Sequence, residues 1–254
     1  MCSLGCECMY QKLSNCTPSS NEERHIIGPD VRNVVPTILA SRLKQEFPSM
    51  TDNQIMYWWR AQSAGYIMRL QRNYVDDIRK LRMDASLHYR TGNTQPVPFP
   101  LPPGTVTIQI RGGDKYKEMA LVPAEAFVQR YLQKVSNAPF NYARTVYLTS
   151  DDFAAIEHCK QALERERHVV MYTHMERMEG GHDIEKVTGF HQNLTHTVVQ
   201  NLLQLFMSLE ADSWIGTRES NWHRLVDELR CVWVNKCSLP YEDIGALPAN
   251  DYAW

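Results

Sequence analysis

The sequence carries little net charge. Its 254 residues include 27 lysines and arginines against 29 aspartates and glutamates, which gives a formal net charge of −2 at pH 7. General nucleic-acid binders present a basic field to the phosphate backbone, and this chain has none. Any anionic partner therefore has to be held by a local cluster of donors, which suits a small phosphorylated ligand better than DNA.

Long hydrophobic runs are also missing. No apolar stretch approaches the roughly 20 residues that a membrane-spanning helix requires. Residues 1–10 lack the basic start and the apolar segment of a secretory signal. Because 43% of the residues are hydrophobic, the chain can nevertheless bury a substantial core. We expect a folded globular chain without a membrane span.

Several motifs of other chemistries are absent. The sequence has no Gly-x-Ser-x-Gly elbow, no Walker-type lysine loop and no His-x3-His pair with a third metal ligand. The histidines at 174, 182, 191 and 196 are scattered through a stretch rich in glycine and methionine. Residues 180–182 predict a loop, either mobile over a ligand site or a plain connector.

Cysteine is present in an odd number, so at least one thiol stays unpaired within the monomer. The spacing of the first four does not fit the ligand pairs of a zinc site, and disulfides or unpaired thiols are favoured. Two Asn-x-Thr sequons, at Asn15 and Asn193, fit a secretory compartment. The seven cysteines are Cys2, Cys6, Cys8, Cys16, Cys159, Cys231 and Cys237.

The first part of the chain predicts little regular structure before one long helix. Residues 1 to about 50 are polar, contain four prolines and show no sustained period, so they predict an irregular entry segment. Thr51 and Gln54 then match a capping box. The helix is predicted from apolar residues at three- and four-residue steps: Ile55, Trp58, Trp59, Ile67, Leu70, Tyr74, Ile78 and Leu81.

A proline-rich stretch at 96–104 marks a boundary, because it can neither continue a helix nor lie inside a sheet. We divide the chain there into 1–103, an irregular segment plus the long helix, and 104–254. Beyond the boundary, strand and helix patterns alternate, which predicts an α/β fold with a doubly wound, Rossmann-like parallel sheet. The predicted strands are 105–110, 145–149, 168–172, 213–216 and 231–234, and the helices are about 123–135, 152–164, 193–210 and 220–229.

Three polar clusters follow predicted strands, at 111–115, 149–152 and 217–221. In the first, glycines let backbone approach an anion, Arg111 offers a two-pronged donor and Lys115 adds a point charge. Each cluster has a simpler interpretation: a surface turn for the first, and helix caps for the other two. Since ligands bind beyond the carboxyl ends of parallel strands, the three together favour a phosphate site.

These motifs, in this order, resemble the fucosyltransferases of the α1,6 type and their relatives, a glycosyltransferase superfamily with a two-domain GT-B-like fold. Residues 58–62 resemble a Trp-Arg-x-Gln segment, and residues 108–115 a His-x-Arg-Arg-x-Asp-Lys motif. Residues 146–152 resemble a strand that ends in paired aspartates, and residues 211–224 a stretch from Ala-Asp to Ser-Gln and a following arginine. The resemblance covers roughly residues 55–235.

The resemblance implies GDP-fucose as donor, a glycan as acceptor, and inverting transfer in the Golgi or another secretory compartment. It implies Glu118 as the general base with Lys115 behind it, while Arg111 holds the diphosphate and stabilises the departing GDP. Arginine and lysine can do that without a metal ion. The residues implied to bind the donor are Gln109, Arg111, Gly112, Asp114, Asp152, Thr217, Ser220 and Asn221.

The chain departs from the family pattern at four positions. Gln109 replaces histidine, Gly112 replaces the second arginine, Asn221 replaces glutamine, and Gln204 lies near the place of an aspartate that would read guanine. The chain is also short, with only the end of the family's larger N-terminal half. Two alternatives therefore stay open, a non-catalytic nucleotide- or glycan-binding relative and a transferase that uses another nucleotide sugar.

Overall fold

A computed structural model describes residues 35–92, 96–112, 120–137, 144–175 and 194–245. Its centre is a six-stranded sheet with the strand order β1-β4-β3-β2-β5-β6. The edge strand β1 is antiparallel to β4, and the other four pairings are parallel. The strands are β1 His88–Arg90, β2 Val106–Ile110, β3 Thr145–Ser150, β4 Val169–Thr173, β5 Ser213–Gly216 and β6 Tyr241–Asp243.

Helices cover both faces of the sheet, which explains why every residue of β2, β3 and β5 is buried. One core packs α4 and α5 against one face, and the other packs α3, α6 and α7 against the opposite face. The helices are α1 Thr37–Glu46, α2 Asp52–Ile67, α3 Arg72–Met83, α4 Ala124–Asn137, α5 Phe153–Arg165, α6 Leu194–Glu210 and α7 Asn221–Val232. The predicted α/β class and the doubly wound, mostly parallel sheet are confirmed.

The order of the strands creates a switch point at the centre of the sheet. From β2 the chain moves to β3 and β4 on one side, and then returns to β5 and β6 on the other. The connections that leave β2 and β5 therefore diverge to opposite sides, which opens a crevice at the carboxyl ends of these two strands. In doubly wound sheets this crevice is where ligands bind.

The prediction of one long helix from Ile55 to Leu81 is wrong, because these residues form two helices, α2 and α3. The capping box that begins α2 is present: Thr51 Oγ1 accepts from the Gln54 backbone N–H at 3.2 Å, and Gln54 Oε1 accepts from the Thr51 N–H at 2.8 Å. The break follows from packing, since α2 lies on α7 whereas α3 lies on α6. Leu70, between the two helices, is 5% exposed in the core.

Two elements at the start of the described chain were not predicted. Part of the irregular entry segment forms α1, which begins after Pro36 and buries only Leu43. The edge strand β1 is also new, because its three half-buried polar residues carry no apolar pattern. The edge strand depends on its antiparallel pairing with β4.

The strand predicted at 231–234 is wrong as well. Its β-branched and aromatic residues suggested a strand, but α7 continues to Val232 because Val226 and Leu229 extend an apolar stripe at helical spacing. Cys231 then forms a disulfide with Cys237. The last strand of the sheet is β6, whose short half-buried sequence gave no strand signal.

Candidate functional site

The loops after β2, β3 and β5 meet at one edge of the sheet. Ile110 at the end of β2 is in register with Ser150 at the end of β3, and Ile108 is in register with Ile215 in β5. The three polar clusters predicted from sequence therefore begin at the carboxyl edge, and two of them flank the switch point. The geometry of each loop decides which side chains can face a ligand there.

The loop after β2 is fixed to the loop after β3. The Arg111 guanidinium forms an ion pair with the Asp151 carboxylate, whose other oxygen accepts from the Gly112 backbone N–H at 2.8 Å. Gly112 is buried, and a Cβ there would lie 2.9 Å from the Asp152 Cβ. The backbone thus passes too close to the next strand's loop for any side chain at this position, and Arg111 remains partly exposed beside it.

The two aspartates after β3 have different roles. Asp152 is the N-cap of α5, and its Oδ1 accepts from the Ala154 backbone N–H at 2.9 Å. Ser150 Oγ accepts from the Asp152 N–H at 3.0 Å. The helix cap that was the simpler interpretation of 149–152 is therefore present, with Ser150 and Asp152 as the acceptors, whereas Asp151 turns toward Arg111 and Gly112. Of the pair, Asp151 shapes the β2 loop.

The loop after β5 leads directly into α7. Ser220 is its N-cap residue, 2% exposed, and makes no side-chain capping bond within the helix. Its backbone N–H donates to the Thr217 carbonyl at 3.0 Å, which tightens the turn. Asn221 lies on the first turn, where its side-chain oxygen accepts from Arg224. The N-terminus of a helix at a switch point carries partial positive charge and suits an anion.

A buried histidine supports this turn. His223 Nδ1 accepts from the Thr217 backbone N–H at 2.6 Å, so the proton of the neutral ring lies on Nε2. Burial, with a smaller contribution from the charge of Arg111, lowers the pKa of His223 to about 3. Gly216 allows the close approach, since a Cβ there would lie 2.9 Å from both His223 Nδ1 and the Tyr241 hydroxyl. The Arg111 and Thr217 loops are therefore neighbours across the crevice.

Replacing His223 with asparagine is expected to flatten the dependence of stability on pH. Below about pH 6.5 the unfolded chain protonates this imidazole, whereas the folded chain keeps it neutral down to about pH 3. Unfolding then takes up a proton, so stability falls with decreasing pH by up to roughly 1.4 kcal/mol per pH unit. Asparagine keeps an acceptor for the Thr217 N–H without titrating.

Urea unfolding of the wild type and His223→Asn at several pH values between about 6.5 and 4.5 measures this difference. His88 and His168, whose pKa values are also lowered by burial, are present in both proteins and cancel in the comparison. Equal slopes for the two proteins would contradict the assignment of a neutral buried His223.

A buried charge network lies behind the β5 loop, and sequence reasoning missed it. Asp227 is fully buried and accepts from Arg218 Nε at 3.1 Å and from Arg230 Nε at 2.7 Å. The Arg218 backbone N–H donates to Asp243 Oδ1 at 3.2 Å, which ties the loop to β6. Burial and the Asp227 carboxylate raise the pKa of Tyr57 on α2. Arg218 lies 9 residues before Asp227 and Arg230 lies 3 residues after it, and this spacing did not indicate a buried cluster in the sequence.

The remaining predicted residues fall in different places. Gln109 is 5% exposed within β2, beneath the edge and beside Thr149 of β3. Gln204 lies on α6 and its side-chain amide contacts the Met175 sulfur. Asp114, Lys115 and Glu118 lie outside the described residues, as do the first four cysteines. Their roles stay predictions.

The described part of the crevice offers three groups to a ligand. They are the Arg111 guanidinium, the backbone of the loop at Gly112 and the N-terminus of α7. This combination is suited to an anion with two or more phosphate oxygens. Across the described residues no group of three His, Cys, Asp or Glu side chains could hold a metal ion. In the same part of the chain, no helix combines the length and the apolar character needed to cross a bilayer. The fold and the loops define a doubly wound α/β domain with an anion-suited crevice.

No protein family model matches the sequence, and no curated protein matches it. Among solved structures, POFUT1 in complex with GDP-fucose is similar at a TM-score of 0.40 and 14% identity, over 78% of this chain and 52% of that chain. POFUT1 in complex with GDP gives a TM-score of 0.41 and 13% identity, over 78% and 53%. The apo-form of POFUT1 gives 0.38 and 13%, over 81% and 58%.

The chain thus spans little more than half the length of these solved structures. Likeness at such identities and TM-scores assigns the chain to no family. The fold class rests on the sheet order and on the parallel pairings, and the chemistry of the crevice rests on its own residues.

Proposed function

We propose that the chain binds a nucleoside diphosphate sugar in the crevice between the β2 and β5 loops and transfers the sugar to a glycan. The observation that carries the proposal is the position of Arg111. It follows the central strand at the switch point, beside the neighbouring strand β5, and it is held in place by Asp151. A cation fixed there is placed to neutralise a diphosphate.

The donor we propose is GDP-fucose, on the motif resemblance of residues 108–115 and 211–224. Arg111 would contact the diphosphate, and Ser220 and Asn221 would offer hydroxyl and amide groups at the N-terminus of α7. The buried Ser220 hydroxyl makes no capping bond within the helix, which leaves that bond available to a ligand. No metal ion is needed in this scheme, since the guanidinium and the helix end supply the positive charge.

The proposed reaction inverts the anomeric carbon. Glu118 takes the proton of the acceptor hydroxyl as its oxygen bonds to the anomeric carbon of fucose, and the bond from that carbon to the phosphate oxygen breaks. GDP leaves with the electron pair, and Arg111 and Lys115 stabilise the negative charge.

One observation favours a second candidate, a binding module without catalysis. The family pattern has arginine where this chain has Gly112, and the 2.9 Å approach to the Asp152 Cβ leaves no room for a side chain there. A diphosphate in this crevice therefore meets one arginine from the β2 strand instead of two. Losing one charge-assisted bond typically costs about 1.5 to 3 kcal/mol, which weakens a site at least tenfold.

The experiment that separates the candidates combines binding with turnover. Calorimetry with GDP, UDP and ADP identifies the nucleotide, and hydrolysis or transfer of GDP-fucose is then followed for the wild type and Glu118→Gln. Transfer that Glu118→Gln abolishes, with GDP affinity kept, supports the transferase. GDP binding without turnover in either protein supports the module. Tighter binding of UDP or ADP than of GDP would mean that the donor is a sugar carried by that other nucleotide.

A secretory compartment is part of the proposal. The disulfide between Cys231 and Cys237 supports it, because disulfides persist in oxidising compartments and are rare in the cytosol. The sequons at Asn15 and Asn193 agree with it. Peptide mapping of the chain expressed through a secretory pathway would show whether either asparagine carries a glycan.

A further inference from the structure

A groove of about 580 Å³ lies between the carboxyl-terminal ends of α2 and α7. The aromatic residues Trp59, Tyr66 and Trp233 line it together with Gln62 and Arg69. Trp59 and Gln62 belong to the Trp-Arg-x-Gln segment at residues 58–62 on α2. The nucleotide crevice gives this segment no role. Arg60, from the same motif, points instead to Glu228 on α7 at 2.6 Å.

The groove is separate from the nucleotide crevice. Contacts between α2 and α7 advance in the same direction along both helices, from the Arg60–Glu228 pair to the approach of Gly65 to Val232. The two helices are therefore parallel. Since α7 has 12 residues, its ends lie about 18 Å apart. The crevice is at its N-terminus and the groove at its C-terminus.

The lining combines aromatic rings with hydrogen-bonding groups. Tyr66 is 48% exposed, and the Arg69 guanidinium lies 3.8 Å from the centre of its ring. The Gln62 amide adds a donor and an acceptor one turn earlier on α2. Among the described residues that line the groove none is a carboxylate, so a cationic ligand would find no counter-ion.

A sugar ring matches this lining. Its C–H face is apolar and packs on aromatic rings, while its hydroxyls need donors and acceptors at the edge, which Gln62 and Arg69 provide. A purely apolar helix would offer no hydrogen-bond partner to the Gln62 amide on binding. The groove is partly open to solvent, so a longer chain of sugars can extend out of it.

The walls of the groove are held rigidly. Trp233 Nε1 donates to the Gly65 carbonyl at 3.2 Å, and its indole stacks on Phe206 with 5.7 Å between ring centres. The disulfide from Cys231 to Cys237 closes the loop that carries Trp233. A ring fixed before binding loses little conformational entropy when a ligand arrives.

We propose that this groove is a binding site for a neutral oligosaccharide, distinct from the nucleotide crevice. The proposal goes beyond the transferase function and does not depend on it, because the site needs no nucleotide. If the chain does act on glycans, the groove would hold sugars of the acceptor that lie remote from the reacting one.

The test is calorimetric titration of the full chain, without nucleotide, with neutral hexasaccharides of glucose, mannose, galactose and xylose. We expect at least one to saturate a single site. Tyr66→Ala and Trp59→Ala should weaken its binding by roughly tenfold, while Tyr66→Phe keeps the ring and stays within about threefold. Phe47→Ala, which removes an aromatic ring of similar exposure outside the groove, is the matched control. Circular dichroism confirms that each variant folds.

Two results would overturn the proposal. One is that no hexasaccharide saturates, and the other is that Tyr66→Ala and Trp59→Ala bind the sugar as the wild type does. Capture of an apolar peptide by the groove without any sugar binding would assign it to a protein partner instead. Failure of the wild type to bind GDP would count against the proposed transferase and would leave the test of oligosaccharide binding unaffected.

Discussion

Replacing Asp227 with asparagine is expected to lower the free energy of unfolding by about 3 to 5 kcal/mol. The Asp227 carboxylate is fully buried and holds two buried arginines, Arg218 on the β5 loop and Arg230 on α7. Asparagine has nearly the same shape but no charge, so two cations would lose their counter-ion in the interior. Leaving a buried charge uncompensated costs far more than the intact pair contributes.

The midpoint and slope of urea unfolding, followed by circular dichroism, give the measurement. The matched control is Asp76→Asn, which breaks a helical ion pair between exposed Asp76 and Arg79 and should leave the midpoint unchanged. An Asp227→Asn protein within about 1 kcal/mol of the wild type would refute the idea that this carboxylate organises the network. Because Arg218 links the network to the β5 loop, the variant should also bind nucleotide less tightly.

Replacing Arg111 with alanine is expected to weaken the binding of GDP by roughly tenfold to a hundredfold, the equivalent of about 1.5 to 3 kcal/mol. The guanidinium is partly exposed at the switch point, where it forms an ion pair with Asp151. Removing it takes a planar, two-pronged donor away from the diphosphate. Arg111→Lys should recover part of the affinity, because it restores the charge but not the fork.

Calorimetric titration with GDP compares these variants with the wild type and with Arg79→Ala, an exposed arginine on α3 that serves as the matched control. The unfolding free energy of Arg111→Ala should change by no more than about 1 kcal/mol, since a partly exposed pair contributes little to stability. If Arg111→Ala binds GDP as tightly as the wild type does, the β2 loop is not the phosphate site.

The sheet was predictable because its central strands are continuous apolar runs separated by amphipathic helices. Of these strands, β5 was placed without error, and β2, β3 and β4 to within a residue or two. The errors share a different cause. Whether residues 52–83 form one helix or two depends on the separate surfaces of α7 and α6 that they cover, and whether Cys231 continues a helix depends on the core that Val226 and Leu229 enter.

The candidate site was predictable in part. Because parallel strands share an edge, sequence order alone placed the loops at 111, 151 and 217 near one another. It could not separate the roles of Asp151 and Asp152, which differ only in the direction that each side chain takes from adjacent positions. Nor could it foresee His223 or Asp227, whose helical positions match those of ordinary core residues and whose partners Thr217 and Arg218 lie on the loop before α7.

The crevice between the β2 and β5 loops is proposed to hold a nucleoside diphosphate. Hydrogen exchange of the chain with and without saturating GDP shows whether the nucleotide protects these two loops. Binding in the crevice is expected to slow exchange in the peptides that contain Arg111 and Gly112 and in those from Thr217 to Trp222, with no change at the α2 groove. Saturable GDP binding that leaves both loops unprotected, or protection only elsewhere on the chain, would contradict it.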